Sequence, residues 1–195
     1  MKYAKFAVVA GASLLMAACA SSPPPQSTIS VKEMQDLLSG NVLIVHDTRW
    51  SGPNGEDARA AFHAQNGTGF GCGMDTRNKT PQSFNFKWEA IPSSGFGSAY
   101  GSTNDEHPEL DRDAPLYHAV EYNKETGEWA YWARNRGQWT KYMIGHVQDS
   151  WPISMTSRCP DLMLPSDLPI NEKQTSDKYV DLKNQDPSAI IKLSD

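Results

Sequence analysis

A mainly β fold, a small antiparallel barrel or sandwich of about six or seven strands with one short N-terminal helix, is what the sequence predicts. Three observations carry this. Apolar residues alternate with polar ones in several short runs. Glycine-bearing turns separate those runs at hairpin spacing. Helical periodicity is plain in one place, near the start of the folded region.

The helix is expected over residues 30–38. Ser30 can cap it with Glu33 three positions on, Val31, Met34, Leu37 and Leu38 form an apolar stripe, and Gly40 can end it. Val42–Val45 then reads as a short apolar strand. From Asp57 the period is two, with Ala58, Ala60, Phe62 and Ala64 on one face and Asp57, Arg59 and His63 on the other. Asn66-Gly67 turns the chain into a partner strand carrying Thr68, Phe70, Cys72 and Met74 at alternate positions. Over 83–90, Phe84, Phe86, Trp88 and Ala90 share one side of a half-buried strand. Residues 93–114 are rich in Gly, Ser and acids and read as a loop. Three strands follow, near 116–122, 128–133 and 138–147, joined by turns ending in Gly127 and Gly137. Past Cys159, Pro, Asp, Asn and Lys dominate, which predicts irregular chain, with a short helix near 188–193.

The organisation follows from the first forty residues. Lys2 and Lys5 precede an uncharged stretch, Phe6–Ala18, too short to span a bilayer but suited to an export signal. The segment Leu14-Leu15-Met16-Ala17-Ala18-Cys19 resembles the lipobox of bacterial lipoproteins, with Met16 where the family prefers an aliphatic residue. The resemblance implies acylation of Cys19 and removal of residues 1–18. Residues 19–29, with Pro23–Pro25, read as a tether. A β-rich domain over 30–164 and an irregular segment over 165–195 complete the chain. Ala20 stands where enterobacterial lipoproteins retained in the inner membrane carry Asp, so by resemblance the destination is the outer membrane. The run Leu37-Leu38-Ser39-Gly40-Asn41, followed by Phe62–Thr68, also resembles small exported bacterial domains of unknown function, which implies a fold and no catalytic residues.

Loss of Lys2 and Lys5 with no acid takes the formal charge from −5 to −7. No basic stripe interleaved with aromatics is present, so nucleic acid is not an expected partner, and membrane attachment falls to the acyl chains. Two cysteines remain beside Cys19, and in an oxidising compartment that count predicts a Cys72–Cys159 disulfide.

Enzyme motifs are fragmentary. His46-Asp47 lie adjacent on a strand and point apart. Asp105, Glu106, Glu109, Asp111 and Asp113 lack calcium-loop spacing. His118 and His146, with His63 or His107, offer zinc ligands without zinc-site spacing, and space-filling histidines are the simpler reading. No catalytic residue, metal or other cofactor is expected. The unusual feature is the crowding of Trp129, Tyr131, Trp132, Trp139, Tyr142 and Trp151. Three-residue and five-residue turns at Gly137 and Gly127 would oppose Tyr131 to Lys141, Trp129 to Met143 and Tyr122 to Glu128. That register puts Leu116, Val120, Tyr122, Trp132, Tyr142 and Ile144 in the core. Tyr117, Trp129, Tyr131 and Trp139 are left outside, beside Glu121 and Lys141, as a platform for a partner protein or glycan. The sequence thus leads to a non-enzymatic envelope lipoprotein that binds such a partner; a structural anchor or assembly factor and a hydrolase of envelope material are the other readings.

Overall fold

The computed structural model describes residues 25–47, 59–74, 80–103, 118–135 and 138–171. Helix α1 (Val31–Leu38) carries the expected capping box: Ser30 accepts from the Glu33 amide while the Glu33 carboxylate accepts from the Ser30 amide. Gly40, at φ +78°, leaves the helix in the left-handed conformation.

Eight strands follow: β1 (Asn41–Asp47), β2 (Arg59–His63), β3 (Thr68–Met74), β4 (Pro81–Ser93), β5 (Gly97–Ser102), β6 (Ala119–Asn123), β7 (Glu128–Asn135) and β8 (Gln138–Gln148). They form one antiparallel sheet in the order β5-β4-β3-β2-β1-β8-β7-β6. The chain is therefore an eight-stranded, near-closed antiparallel barrel with a short N-terminal helix. Of these eight, the strand that sequence periodicity missed is β5, inside the stretch read as loop. Its composition, Gly-Ser-Ala-Tyr-Gly-Ser, hides the alternation because small residues fill both faces.

The ends of the sheet meet at one point, where Tyr100 and His118 exchange backbone hydrogen bonds of 3.1 and 3.0 Å. Above that bridge β5 and β6 diverge, and residues 26–29 thread the gap. Ser27 N–H donates to the Phe96 carbonyl (2.8 Å) and Thr28 N–H to that of Val120 (3.0 Å). The Ser27 and Thr28 hydroxyls accept from the Val120 and Tyr122 amides at 2.8 and 2.7 Å. The pairing row also climbs: from Ser83 it runs through Cys72, Ala60, Ile44, His146 and Glu128 to Asn123, whereas the Tyr100–His118 bridge returns to β4 at Ala90. Such stagger belongs to strands tilted across a barrel axis.

Two apolar layers result. Inside lie Leu43, Val45, Phe86, Trp88, Tyr100, Val120, Trp129 and Tyr131, with Met34 and Leu38 of α1 plugging one end. Gly69 and Gly71 line the inner face of β3 because a Cβ on either would meet the Phe86 or Phe84 ring at 2.3 Å. Outside β1–β3, Val42, Ile44, Ala60 and Cys72 pack under Trp151, Met155, Cys159 and Leu168. That cover consists of helix α2 (Ile153–Arg158), residues 159–171, and a parallel pair of short strands, β9 (Trp151–Pro152) and β10 (Ile170–Asn171). Packing thus continues past residue 164 as far as the described chain extends. The Cys72–Cys159 disulfide, Cα–Cα 6.0 Å, staples the cover to the barrel.

Candidate functional site

The aromatic hairpins adopt a register one residue away from the expected one between β6 and β7 and near the β7–β8 turn, and two residues away beyond the bulge in β8. Asn123 belongs to the strand, paired with Glu128, because its side-chain oxygen accepts from the Glu125 and Thr126 amides (2.9 and 3.2 Å) and its carbonyl from the Gly127 amide (2.8 Å). The loop therefore has four residues, not five, and Tyr122 faces Trp129. In the next hairpin Asn135 pairs with Gln138, which leaves two connecting residues rather than three. Tyr131 then opposes Met143 and Trp132 opposes Lys141, with Tyr142 as an extra, bulged residue between them. A slip of one residue exchanges the faces of a strand.

The expected platform is overturned by this exchange. Trp129 and Tyr131 are core residues, 0 % and 5 % exposed. Trp139 is half-buried, edge-on to Phe96 at 5.4 Å. Tyr117 lies outside the described residues. Trp132, assigned to the core by sequence, points outward on the barrel wall, and Ile144 leaves the inner face with it; Val120, Tyr122 and Tyr142 stay on the inside. One sequence signal was available: Trp132 shares its parity in β7 with Glu128 and Arg134, as an outward residue should.

On that wall Trp132, Glu121 and Lys141 come together. The indole Nε1–H donates to Glu121 Oε2 (3.2 Å), Lys141 Nζ donates to Glu121 Oε1 (2.7 Å), and the same ammonium lies 5.5 Å from the Trp132 ring centroid. Both carboxylate oxygens are engaged and the ring is fixed in orientation. Such a surface pair adds only about 0.2–1 kcal/mol to stability. Its consequence is a half-buried aromatic ring framed by donor and acceptor groups, the mixture that stacks on a partner while hydrogen-bonding it. Among the described residues, the apolar cluster under the cover of β1–β3 includes none from β6–β8.

The interior holds a second polar group, built on His63, Tyr100, Tyr131, His118 and Tyr142. His63 Nδ1 lies 3.0 Å from the Ala61 carbonyl, which can only accept, so Nδ1 bears the proton and Nε2 accepts from the Tyr100 hydroxyl at 2.9 Å. Tyr131 in turn donates to Tyr100. The buried Trp129 N–H faces Tyr131 without reaching full hydrogen-bond geometry. On the other side of Tyr131, His118 Nε2 meets the Tyr142 hydroxyl at 3.0 Å. Burial holds His63 down to about 3 and His118 to about 4, and it pushes the Tyr100 and Tyr131 hydroxyls well above the usual phenol range. Every member is neutral at physiological pH, and the network specifies the core.

His63 and His118 are thus spent on tyrosines, and His146 Nε2 lies 3.2 Å from Gln148 Oε1; His107 is outside the described residues. Among the described residues no three His, Cys, Asp or Glu side chains are grouped to hold a metal ion, and no helix is long and apolar enough to cross a membrane. No family model, curated protein or solved structure matches the chain.

Proposed function

We propose that the chain is an envelope lipoprotein, acylated at Cys19 and carried to the outer membrane, whose barrel is a binding module for a partner protein or glycan. The observation that carries the binding role is the Trp132–Glu121–Lys141 cluster on the barrel wall outside the cover. It replaces the platform read from sequence with a smaller one, of the same chemistry, on the same three strands. The commitment of His63 and His118 to interior tyrosines favours binding over hydrolysis.

Two experiments test this. Labelled fatty acid fed to the native cells enters the wild-type protein, and Cys19→Ser abolishes the label; equal labelling of both removes the lipoprotein. Cross-linking of the full-length protein in those cells, followed by protease or glycosidase digestion of the adduct, identifies the class of partner. Trp132→Ala then loses the adduct while keeping its melting temperature. Undiminished cross-linking of a folded Trp132→Ala protein removes this site.

A further inference from the structure

The two edge strands of the sheet pair directly at one place, and beyond it a third segment stands between them. Tyr100 and His118 exchange both backbone hydrogen bonds, so a continued antiparallel ladder would next bond Ser98 with Val120, then Phe96 with Tyr122. Residues 27 and 28 take up both of those rungs. The Ser27 hydroxyl donates to the Ser98 carbonyl at 2.5 Å and accepts from the Val120 amide at 2.8 Å. One oxygen atom thus replaces a direct bond between β5 and β6. The Ser27 amide donates to the Phe96 carbonyl at 2.8 Å and the Thr28 amide to that of Val120 at 3.0 Å, so adjacent residues reach opposite edges of the gap. The Thr28 hydroxyl accepts from the Tyr122 amide at 2.7 Å and donates to the Tyr122 carbonyl at 3.2 Å.

Both ends of the segment are fixed. The Gln26 side-chain amide donates to the Gly95 carbonyl at 3.0 Å. Ile29 is buried in the barrel core, and its carbonyl accepts from the Ser98 hydroxyl. The residue types matter as much as the path. Val120 and Ser98 are buried, and without a hydroxyl at position 27 the Val120 amide and the Ser98 carbonyl lose these partners. A buried main-chain group left unpaired is costly, so the seam depends on a hydroxyl at each of two successive positions. Ring contacts cross the seam as well: Tyr100 packs on Tyr131 inside the barrel at 5.2 Å, and Trp139 meets Phe96 at 5.4 Å.

We propose that Gln26–Ile29 is a latch. This segment, rather than direct pairing of β5 with β6, holds the barrel shut. When it leaves, the seam opens as a unit of its own: the Tyr100–His118 bridge parts while β1 stays paired with β2 and β8. Opening bares the strand edges at Phe96–Ser98 and Val120–Tyr122, and with them the interior around Tyr131. The chain before Gln26 runs straight into the latch, so a pull on it acts on these bonds ahead of those of any strand.

Residue-resolved hydrogen exchange of the full chain tests this. Ser27→Ala/Thr28→Val removes both hydroxyls and keeps both latch amides. The amides read are those of Tyr100 and His118, which bond each other and not the latch. They should exchange at least about tenfold faster in the double variant, while the amides of β1, paired on both sides, keep their wild-type rates. Ser27→Thr/Thr28→Ser retains a hydroxyl at each position and should exchange as wild type. Thr28→Val alone leaves the Ser27 bridge and should show the double variant's pattern at smaller amplitude, which keeps the test open if the double variant does not fold. Unchanged exchange at Tyr100 and His118 in a folded double variant means that β5 and β6 hold each other, and overturns the latch. Equal acceleration throughout the barrel in Thr28→Val, β1 included, overturns it too, because the seam is then no separate unit. Trp139→Ala should leave the two seam amides close to wild type; an acceleration as large as the double variant's assigns closure to the Trp139–Phe96 contact instead.

Discussion

Trp129 and Trp132 are three positions apart in one strand and have opposite fates. Trp129 is 0 % exposed, edge-on to Tyr100 and Tyr131 at 6.3 and 5.6 Å. Its truncation removes a whole indole from a packed interior that cannot collapse into the space. Trp129→Ala is expected to cost about 3–5 kcal/mol, read from urea unfolding. Trp132 is half-buried, and its truncation loses a ring-to-ammonium contact, one hydrogen bond to a half-exposed carboxylate and part of its packing, so Trp132→Ala should cost well below the Trp129→Ala value, about 1 kcal/mol. Equal losses for the two would show that the wall around Trp132 is covered.

At the scale of elements, β1 and β8 approach so closely that one position of β8 admits no side chain. A Cβ on Gly145 would lie 1.8 Å from the Ile44 carbonyl oxygen and 2.8 Å from the Val45 Cα, both main-chain atoms of the neighbouring strand. Main chain held in a ladder on both sides cannot give way as a flexible side chain does. Gly145→Ala is therefore expected to abolish cooperative thermal unfolding by circular dichroism. Gly127→Ala puts its methyl group in open space and strains only a φ of +70°, which costs about 1 kcal/mol. The comparison separates strand packing from turn conformation. Helix α1 is the opposite case, an element whose boundaries rest on local groups: Ser30 and Glu33 at one end, Gly40 at the other.

For the whole molecule, stability depends on holding two layers together. The disulfide closes a loop of 87 residues between β3 of the barrel and the end of α2 in the cover. In the chain-entropy model that stabilises the fold by about 4–5 kcal/mol. Reductant should lower the urea midpoint accordingly, and the Cys72→Ala/Cys159→Ala protein should show the same midpoint with and without it. Acid acts through the interior. An unfolded chain protonates its histidines below about pH 6.5, while the barrel keeps His63 and His118 neutral down to about 3 and 4. Between those limits the unfolded state binds more protons, so stability is complete above about pH 6.5 and falls as the pH drops towards 4. Calorimetry at pH 5 in buffers of different ionisation enthalpy should detect uptake of about two protons on unfolding from this pair. His63→Gln should remove about half of that uptake, and unchanged uptake would mean that His63 titrates in the folded barrel.

The sequence by itself determined the helix and its caps, the Asn66-Gly67 hairpin, the partition of β4 and the identity of the disulfide partners. Each of these is written locally, in a capping residue, a turn dipeptide, an uninterrupted alternation or the two cysteines left when Cys19 is set aside by the lipobox resemblance. Two things needed the tertiary structure. Phe62, Phe70 and Cys72 alternate as core residues do, yet they face out from the barrel under Trp151 and Met155, while Gly69 and Gly71 face in. Periodicity states that two faces differ, but not which one is inside, and here both are buried. The aromatic site turned on one residue in each of two loops and on the bulge at Tyr142. Register is set by turn hydrogen bonds and by the fit of large rings around a closed interior, and a slip of one residue carries every side chain of a strand to the other face. Sequence could require Trp129 and Trp132 to part company; only the closed barrel decided which of them met the solvent.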